Sequence, residues 1–392
     1  MDFDFTEEQK AFRQEIRDFL SKELEAGSFV TRQNAWVEGY SQGFSKKIAE
    51  RGWIGLTWPR EFGGKGKGYI DRVIMLEEML RVQAPINFHF MADRQVGPAL
   101  IHFGTDEQKK EFLPRIINAE LSFCLLFSEP DAGSDLASVR TTAVEKDDHY
   151  IINGQKVWTS GGHLTHFGWA LVKTNRDPAV KKHRALSEFI IDMNSPGITV
   201  RPLINIAGAH SFNEVFFEDV KVPKTRLVGQ KDRGFYQIME QMVYERAGIE
   251  RLMQNHPLKE NVIEYAKTTR KNGRPLAEDP LVRNAIASLE IEFTAGRLLC
   301  YKVAWTIDQG NIPNYEASVC KAYCTLYEKK LADIATQIMG LYGQLLPDSP
   351  AAPYDGMAAE SFLWSPSYTL QGGAVEILKG IVALRGLNLQ TK

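Results

Sequence analysis

A glutamate set into an apolar helical stripe is the residue of this sequence that most needs a chemical reason. Ile238 and Met242 lie seven and three residues before Glu245, and Ile249 and Leu252 lie four and seven after it, so a helical count puts all five on one side. Desolvation raises a carboxylate's proton affinity, which suits a general base. A buried ion pair with a distant Arg or Lys is the other use of such a residue. Glu240 and Glu250 fall among mixed neighbours such as Tyr236, Gln237, Arg246 and Gln254, and they read as a solvated face.

Other runs with chemical potential are weaker by themselves. His163 and His166 are spaced like a metal pair, but they supply two ligands with no carboxylate or thiol at useful spacing, and no metal is expected there. Serine hydrolysis lacks its Gly-x-Ser-x-Gly elbow. The run Gly63-Gly64-Lys65-Gly66-Lys67-Gly68 departs from phosphate-loop spacing and reads as a mobile loop. Cys124, Cys300, Cys320 and Cys324 are few for 392 residues, and the last two lie four apart in a helical-looking stretch that suits small buried thiols rather than a disulfide or zinc.

Three segments must position these groups. Thr6 with Gln9, and Thr105 with Gln108, have capping-box spacing, and helical periodicity runs from Phe12 to Leu20, Asp71 to Val82 and Met91 to Phe103. From Ser122 the pattern turns to short β-rich runs, with Asn153-Gly154 between Tyr150-Ile151-Ile152 and Gln155-Lys156-Val157-Trp158 predicting a hairpin. Beyond Gly229 the chain is helical again, with Asp279-Pro280 as cap and first-turn proline. The expected domains are 1–119 (α), 120–229 (β) and 230–392 (α). At 44% apolar the chain can bury a large core, and 47 basic against 49 acidic residues leave no footprint for a nucleic acid. No apolar run approaches the ~20 residues that span a bilayer, and the opening lacks the basic start of a secretion signal, so a cytoplasmic protein is expected.

Ser128-Glu129-Pro130-Asp131-Ala132-Gly133-Ser134-Asp135 and Asn153-Gly154-Gln155-Lys156-Val157-Trp158-Thr159-Ser160 closely resemble the two signatures of the acyl-CoA dehydrogenase family. Val220-Lys221-Val222-Pro223 and Gln337-Ile338-Met339-Gly340 extend the resemblance over essentially the whole chain. It implies an α+β fold with an N-terminal helical domain, a middle β domain and a C-terminal four-helix bundle. It also implies FAD as cofactor. By the same resemblance Ser128 contacts the flavin pyrimidine edge, Trp158 covers one ring face, Ser160 bonds near N5, and Ser134 lies near the phosphates or the thioester ligand. Arg283 and Gln337 reach the adenosine half, often across a subunit contact, and Glu376 faces cofactor phosphate or ribose.

The implied reaction removes an α proton from an acyl-CoA and transfers the β hydrogen as hydride, which requires a base and a carbonyl polariser. Many family members carry the base directly before a Gly-Thr pair, where this sequence has Gly372-Gly373-Ala374. A subset places it in a Glu-Arg pair on the first C-terminal helix, which Glu245-Arg246 matches. Glu245 is therefore the expected base, and the backbone N–H of Gly372 polarises the thioester carbonyl. The expected electron acceptor is an electron-transferring flavoprotein, and the expected assembly a homo- or hetero-tetramer. Gly372 keeps a non-catalytic partner subunit of a mixed oligomer in view, and an acyl-CoA oxidase is the remaining alternative.

Overall fold

The computed structural model describes residues 4–31, 33–245 and 248–390, and the side chains of 242–245 also lie outside the described residues. The first part of the chain forms α1 (Glu7–Glu25), α2 (Ala35–Glu38), α3 (Gln42–Glu50), α4 (Tyr69–Arg81), α5 (Asn87–Met91), α6 (Gly97–Phe103) and α7 (Asp106–Ile117). Strands follow: β1 (Phe123–Leu126), β2 (Thr142–Glu145), β3 (His149–Lys156), β4 (Phe167–Lys173), β5 (Leu186–Asp192), β6 (Ile198–Ile204), β7 (His210–Pro223) and β8 (Leu227–Val228). The last part holds α8 (Gly234–Glu245), α9 (Glu250–Met253), α10 (His256–Thr268), the short pair β9 (Arg270–Lys271) and β10 (Arg274–Pro275), α11 (Pro280–Asp308), α12 (Glu316–Met339), α13 (Met357–Tyr368) and α14 (Val375–Ile381).

Local chemistry starts these helices where the sequence places them. Thr6 and Gln9 close a reciprocal capping box on α1, and Thr105 and Gln108 do the same on α7. Asp279 accepts from the Leu281 N–H at the head of α11, with Pro280 in the first turn. The chain packs as two compact units, one of Val37–Lys67 and Pro85–Glu245, the other of Met1–Trp36, Gly68–Ala84 and Arg246–Lys392.

In the first unit the sheet order is β6-β7-β3-β2-β4-β5-β8, with β1 pairing parallel to β4. Alternation along β4 and β5 sends Ala170, Val172, Phe189 and Ile191 into one apolar cluster and Leu171 and Leu186 into a second one, which also contains Ile238 of α8. The sheet is thus buried on both sides, and α8 covers one of them. The expected hairpin at Asn153-Gly154 is absent: both residues lie inside β3, which pairs with β7 through a register shift between Ile152 and Gly154. Gly154 sits at φ 147°, where an added Cβ would lie 2.5 Å from Thr141 Oγ1, and the Asn153 amide is engaged in the sheet by donating to Asp219 Oδ1 at 2.9 Å. The pair therefore marks a bulge rather than a turn.

In the second unit α11 and α12 run antiparallel. Lys330 Nζ donates to Ser288 Oγ at 3.0 Å and the Cys300 and Cys320 sulfurs lie 3.4 Å apart, which fixes their register. Cys324 joins this buried group at 3.8 Å from Cys300, a meeting of three thiols of which the sequence spacing showed only two. Glu77 and Glu78 of α4 are buried beneath Arg13, Arg17 and Arg297.

Candidate active site

The two sequence signatures meet in the unit that holds the sheet. The Val157 N–H donates to the Ser128 carbonyl at 2.9 Å, so the loop after β1 runs beside the end of β3. A buried ion pair holds them together. Lys156 is fully buried and donates from Nζ to Glu129 Oε1 at 2.8 Å, to the Phe127 carbonyl at 3.0 Å and to the Leu171 carbonyl at 2.6 Å. Glu129 also accepts the N–H groups of Arg140 and Thr141. Burial works to raise the Glu129 pKa, but the Lys156 ammonium and these donated bonds hold it below the usual carboxylate range. Burial brings Lys156 down to about 8, still charged at neutral pH. Residue type and spacing give neither residue a role; the signal in the sequence is one acid and one cation, each inside one of the two signatures.

Trp158 is presented by this arrangement. It lies at φ 60°, a left-handed conformation that costs a bulky residue roughly 1–3 kcal/mol, and its side chain is 61% exposed, edge-on to Phe212 at 5.9 Å. The next residue is clamped, because the Thr159 N–H donates to the Asn213 carbonyl at 3.1 Å and Asn213 Nδ2 donates to the Thr159 carbonyl at 2.9 Å. Ser128 and Ser160 are half-buried on either side of this segment in sequence, and Ser134 is exposed on the loop that Lys182 ties down through Asp135. His163 stacks on His210 at 3.9 Å, whereas His166 bonds Ser122, so the two histidines of the His-x-x-His run turn to separate partners.

The other unit holds Gly372, Glu376, Arg283 and Gln337. Gly372 and Gly373 both have positive φ, 67° and 102°, and the buried Lys321 donates to the Gly373 carbonyl at 2.7 Å, holding this turn at the head of α14. Glu376 is exposed in the first turn of α14. Arg283 begins α11 and Gln337 ends α12, and the antiparallel register brings both to the same end of that helix pair, each exposed. Gln337 Nε2 donates to Asp333 Oδ2 at 2.9 Å.

Glu245 is the last residue of α8, and its side chain, like Arg246, lies outside the described residues. The helical count around it needs correction: the described backbone at Gly248 and Ile249 is not helical and α9 begins at Glu250, so Ile249 and Leu252 do not continue one stripe with Ile238. Glu240 is exposed, as expected, but Glu250 is fully buried rather than solvated.

Comparison with known proteins settles the relationship. Family models for the N-terminal, middle and C-terminal domains of acyl-CoA dehydrogenase match residues 6–120, 124–220 and 232–387. The acyl-CoA dehydrogenase IpdE1 of Mycobacterium tuberculosis is 32% identical over 388 residues, covering 96% of this chain and 97% of that protein. The chain belongs to the acyl-CoA dehydrogenase family. FadE29, an acyl-CoA dehydrogenase of the same organism, is 31% identical over 396 residues, covering 99% of each. Two solved structures, the "Tcur3481-Tcur3483 steroid ACAD" and the ChsE4-ChsE5 complex from Mycobacterium tuberculosis, match at TM-scores of 0.89 and 0.88 with 29% and 28% identity over 100% of both chains. As a member of the family the protein is a FAD-dependent oxidoreductase acting on acyl-CoA, with a helical N-terminal part, a middle β part and a helical C-terminal part. No helix among the described residues is long and apolar enough to cross a membrane.

The residues present fit a flavin. A planar apolar face is offered by the exposed, conformationally strained Trp158, and Thr159 Oγ1 beside it is buried with no hydrogen-bond partner among the described residues. Bound FAD supplies the two-electron acceptor that no side chain can provide.

Proposed function

We propose that Glu245 is the base of this acyl-CoA dehydrogenation and that the electrons pass to an electron-transferring flavoprotein. The observation that carries the first part is the turn at Gly372: a left-handed glycine, next to the Gly373 whose carbonyl Lys321 holds, occupies the place where many family members put the carboxylate. What remains there is a backbone N–H, which serves to polarise the thioester carbonyl. Ser128, Trp158 and Ser160 hold the isoalloxazine, Ser134 lies by the phosphates or the thioester ligand, and Arg283, Gln337 and Glu376 hold the adenosine and phosphate side. The domains are 1–119, 120–229 and 230–392, and the enzyme works in the cytoplasm on a bulky acyl group, a reading supported by the steroid description of a matching structure.

The test is anaerobic flavin reduction by a panel of acyl-CoA thioesters. Glu245→Gln keeps volume and removes the proton acceptor, so the reduction rate should fall on the order of a hundred- to ten-thousandfold while FAD stays bound. Reduction at the parent rate sinks the assignment. A second reading, a partner subunit of a mixed oligomer, is favoured by one observation: both matching structures are described by two paired names. A flavin that is reduced only when a second chain is co-purified would establish that reading.

A further inference from the structure

Glu188 is a carboxyl where the fold calls for an apolar side chain. It lies on β5 opposite Leu171 of β4, on the sheet face whose neighbours Leu171, Leu186 and Ile238 form an apolar cluster, and it is fully buried. Its Oε1 accepts from Trp169 Nε1 at 2.6 Å and its Oε2 from Gln237 Nε2 at 2.7 Å, while Gln241 Nε2 reaches both oxygens at 3.3 and 3.4 Å. Gln237 Nε2 also donates to the Val228 carbonyl of β8. The groups that face this carboxyl from β4 and α8 are thus an indole and two amides, all neutral.

Gln237, Gln241 and Glu245 are spaced four apart on α8, so each follows the last by about one turn. We propose that Glu188 is a positioning residue for the dehydrogenation, its carboxyl holding α8 through Gln237 and Gln241 so that Glu245, one turn further on, is kept where it acts. This rests on reading Glu245 as the base. Two features support a pin over ordinary packing. A leucine would fill the same cluster without the cost of burying a carboxyl, a cost that the donated bonds of Trp169, Gln237 and Gln241 offset only in part. In addition, Gln241 Oε1 is buried with no hydrogen-bond partner among the described residues. A protonated Glu188 supplies a donor for that oxygen once the amide turns over, so α8 stays attached in either proton state. Burial, against the three donated bonds, raises the Glu188 pKa to about 7, which puts both states within the working range.

The experiment is a double-mutant cycle in the flavin-loaded enzyme, read by single-turnover flavin reduction at saturating acyl-CoA. Glu188→Leu should slow reduction roughly ten- to a hundredfold with KM nearly unchanged, as expected for a base displaced by a fraction of an ångström to about 1 Å. Glu188→Gln should restore the rate in part, since its carbonyl oxygen keeps the Trp169 bond and its NH2 donates to Gln241 Oε1, while the Gln237 bond to the second oxygen is given up. In a Glu245→Gln background Glu188→Leu should cost nothing further, because the two act as one unit. If Glu188→Leu does not retain flavin, the Gln237→Leu/Gln241→Leu pair applies the same test from the helix side with the same outcome expected. A parent rate in Glu188→Leu, or an equal loss in the Glu245→Gln background, overturns the proposal. A parent rate in Glu245→Gln alone overturns the base assignment instead, so the two failures are told apart.

Discussion

Lys156 and Glu129 carry opposite charges into a place with almost no water, and that decides what each substitution should do. Removing one partner strands the other charge, at a cost of about 3–5 kcal/mol. Lys156→Met should therefore lower the unfolding free energy by that order in denaturant titration, and the Ser128 loop should lose its register with Trp158, so flavin retention should fall with it. Glu129→Leu combined with Lys156→Met removes both charges and should recover part of the stability, less the cost of the Arg140 and Thr141 N–H groups left unpaired. It should not recover flavin retention, because the Arg140 and Thr141 N–H groups that Glu129 collects are left without their acceptor. A single variant with parental stability would show that the pair is not buried as described. This residue-scale pairing was half legible: the signatures containing both residues stood out in the sequence, but a buried acid in the loop after β1 and a buried cation at the end of β3 become a pair only through the fold.

At the scale of elements, α8 is attached to β5 by a carboxyl whose proton state matters to folding. The ordinary carboxyl value of 4.5 is raised to about 7 at Glu188, so the folded state holds this proton more tightly than the unfolded chain does. The stabilisation is full below pH 4.5, falls as pH rises through that range, and is gone above about 7, where the fold must carry a buried ionised group. The swing is roughly 3 kcal/mol, from about 1.4 kcal/mol per pH unit. The difference in Tm between Glu188→Gln and its parent should therefore grow in favour of the variant from pH 5 to pH 8; a difference independent of pH would refute the shifted titration. An acid inside Leu186-Ser187-Glu188-Phe189-Ile190-Ile191 was visible in the sequence, yet strand alternation alone does not say which face is covered. The capping boxes at Thr6 and Thr105 were legible because they close within four residues, whereas Asn153-Gly154 was misread because the same dipeptide serves a turn and a bulge. The stripe through Glu245 was overcounted for a similar reason: periodicity runs on to Leu252 in the sequence, but the described backbone at Gly248 and Ile249 is not helical.

At the scale of the whole molecule, the end of the α11–α12 pair remains to be accounted for. Leu281 and Leu341 are each 81% exposed and Tyr342 is 56% exposed, and the antiparallel register groups them with Arg283 and Gln337. Large apolar side chains clustered on a surface mark a contact with another molecule. The proposed roles of Arg283 and Gln337 toward the adenosine half of FAD connect that contact to the cofactor: a second subunit covering this end would bury the apolar residues and place the two polar ones by a flavin bound on its own sheet. Assembly and cofactor retention should then be lost together. Leu341→Lys puts a charge into the contact, where desolvation without a partner is costly, so sedimentation should show smaller species and the bound flavin per chain should fall in step. Adding FAD in excess should shift the variant back toward the larger species, because a ligand held between subunits stabilises their association by mass action. A Leu341→Lys protein that sediments as a monomer yet keeps its full flavin complement would separate assembly from cofactor binding and refute the proposed placement of Arg283 and Gln337.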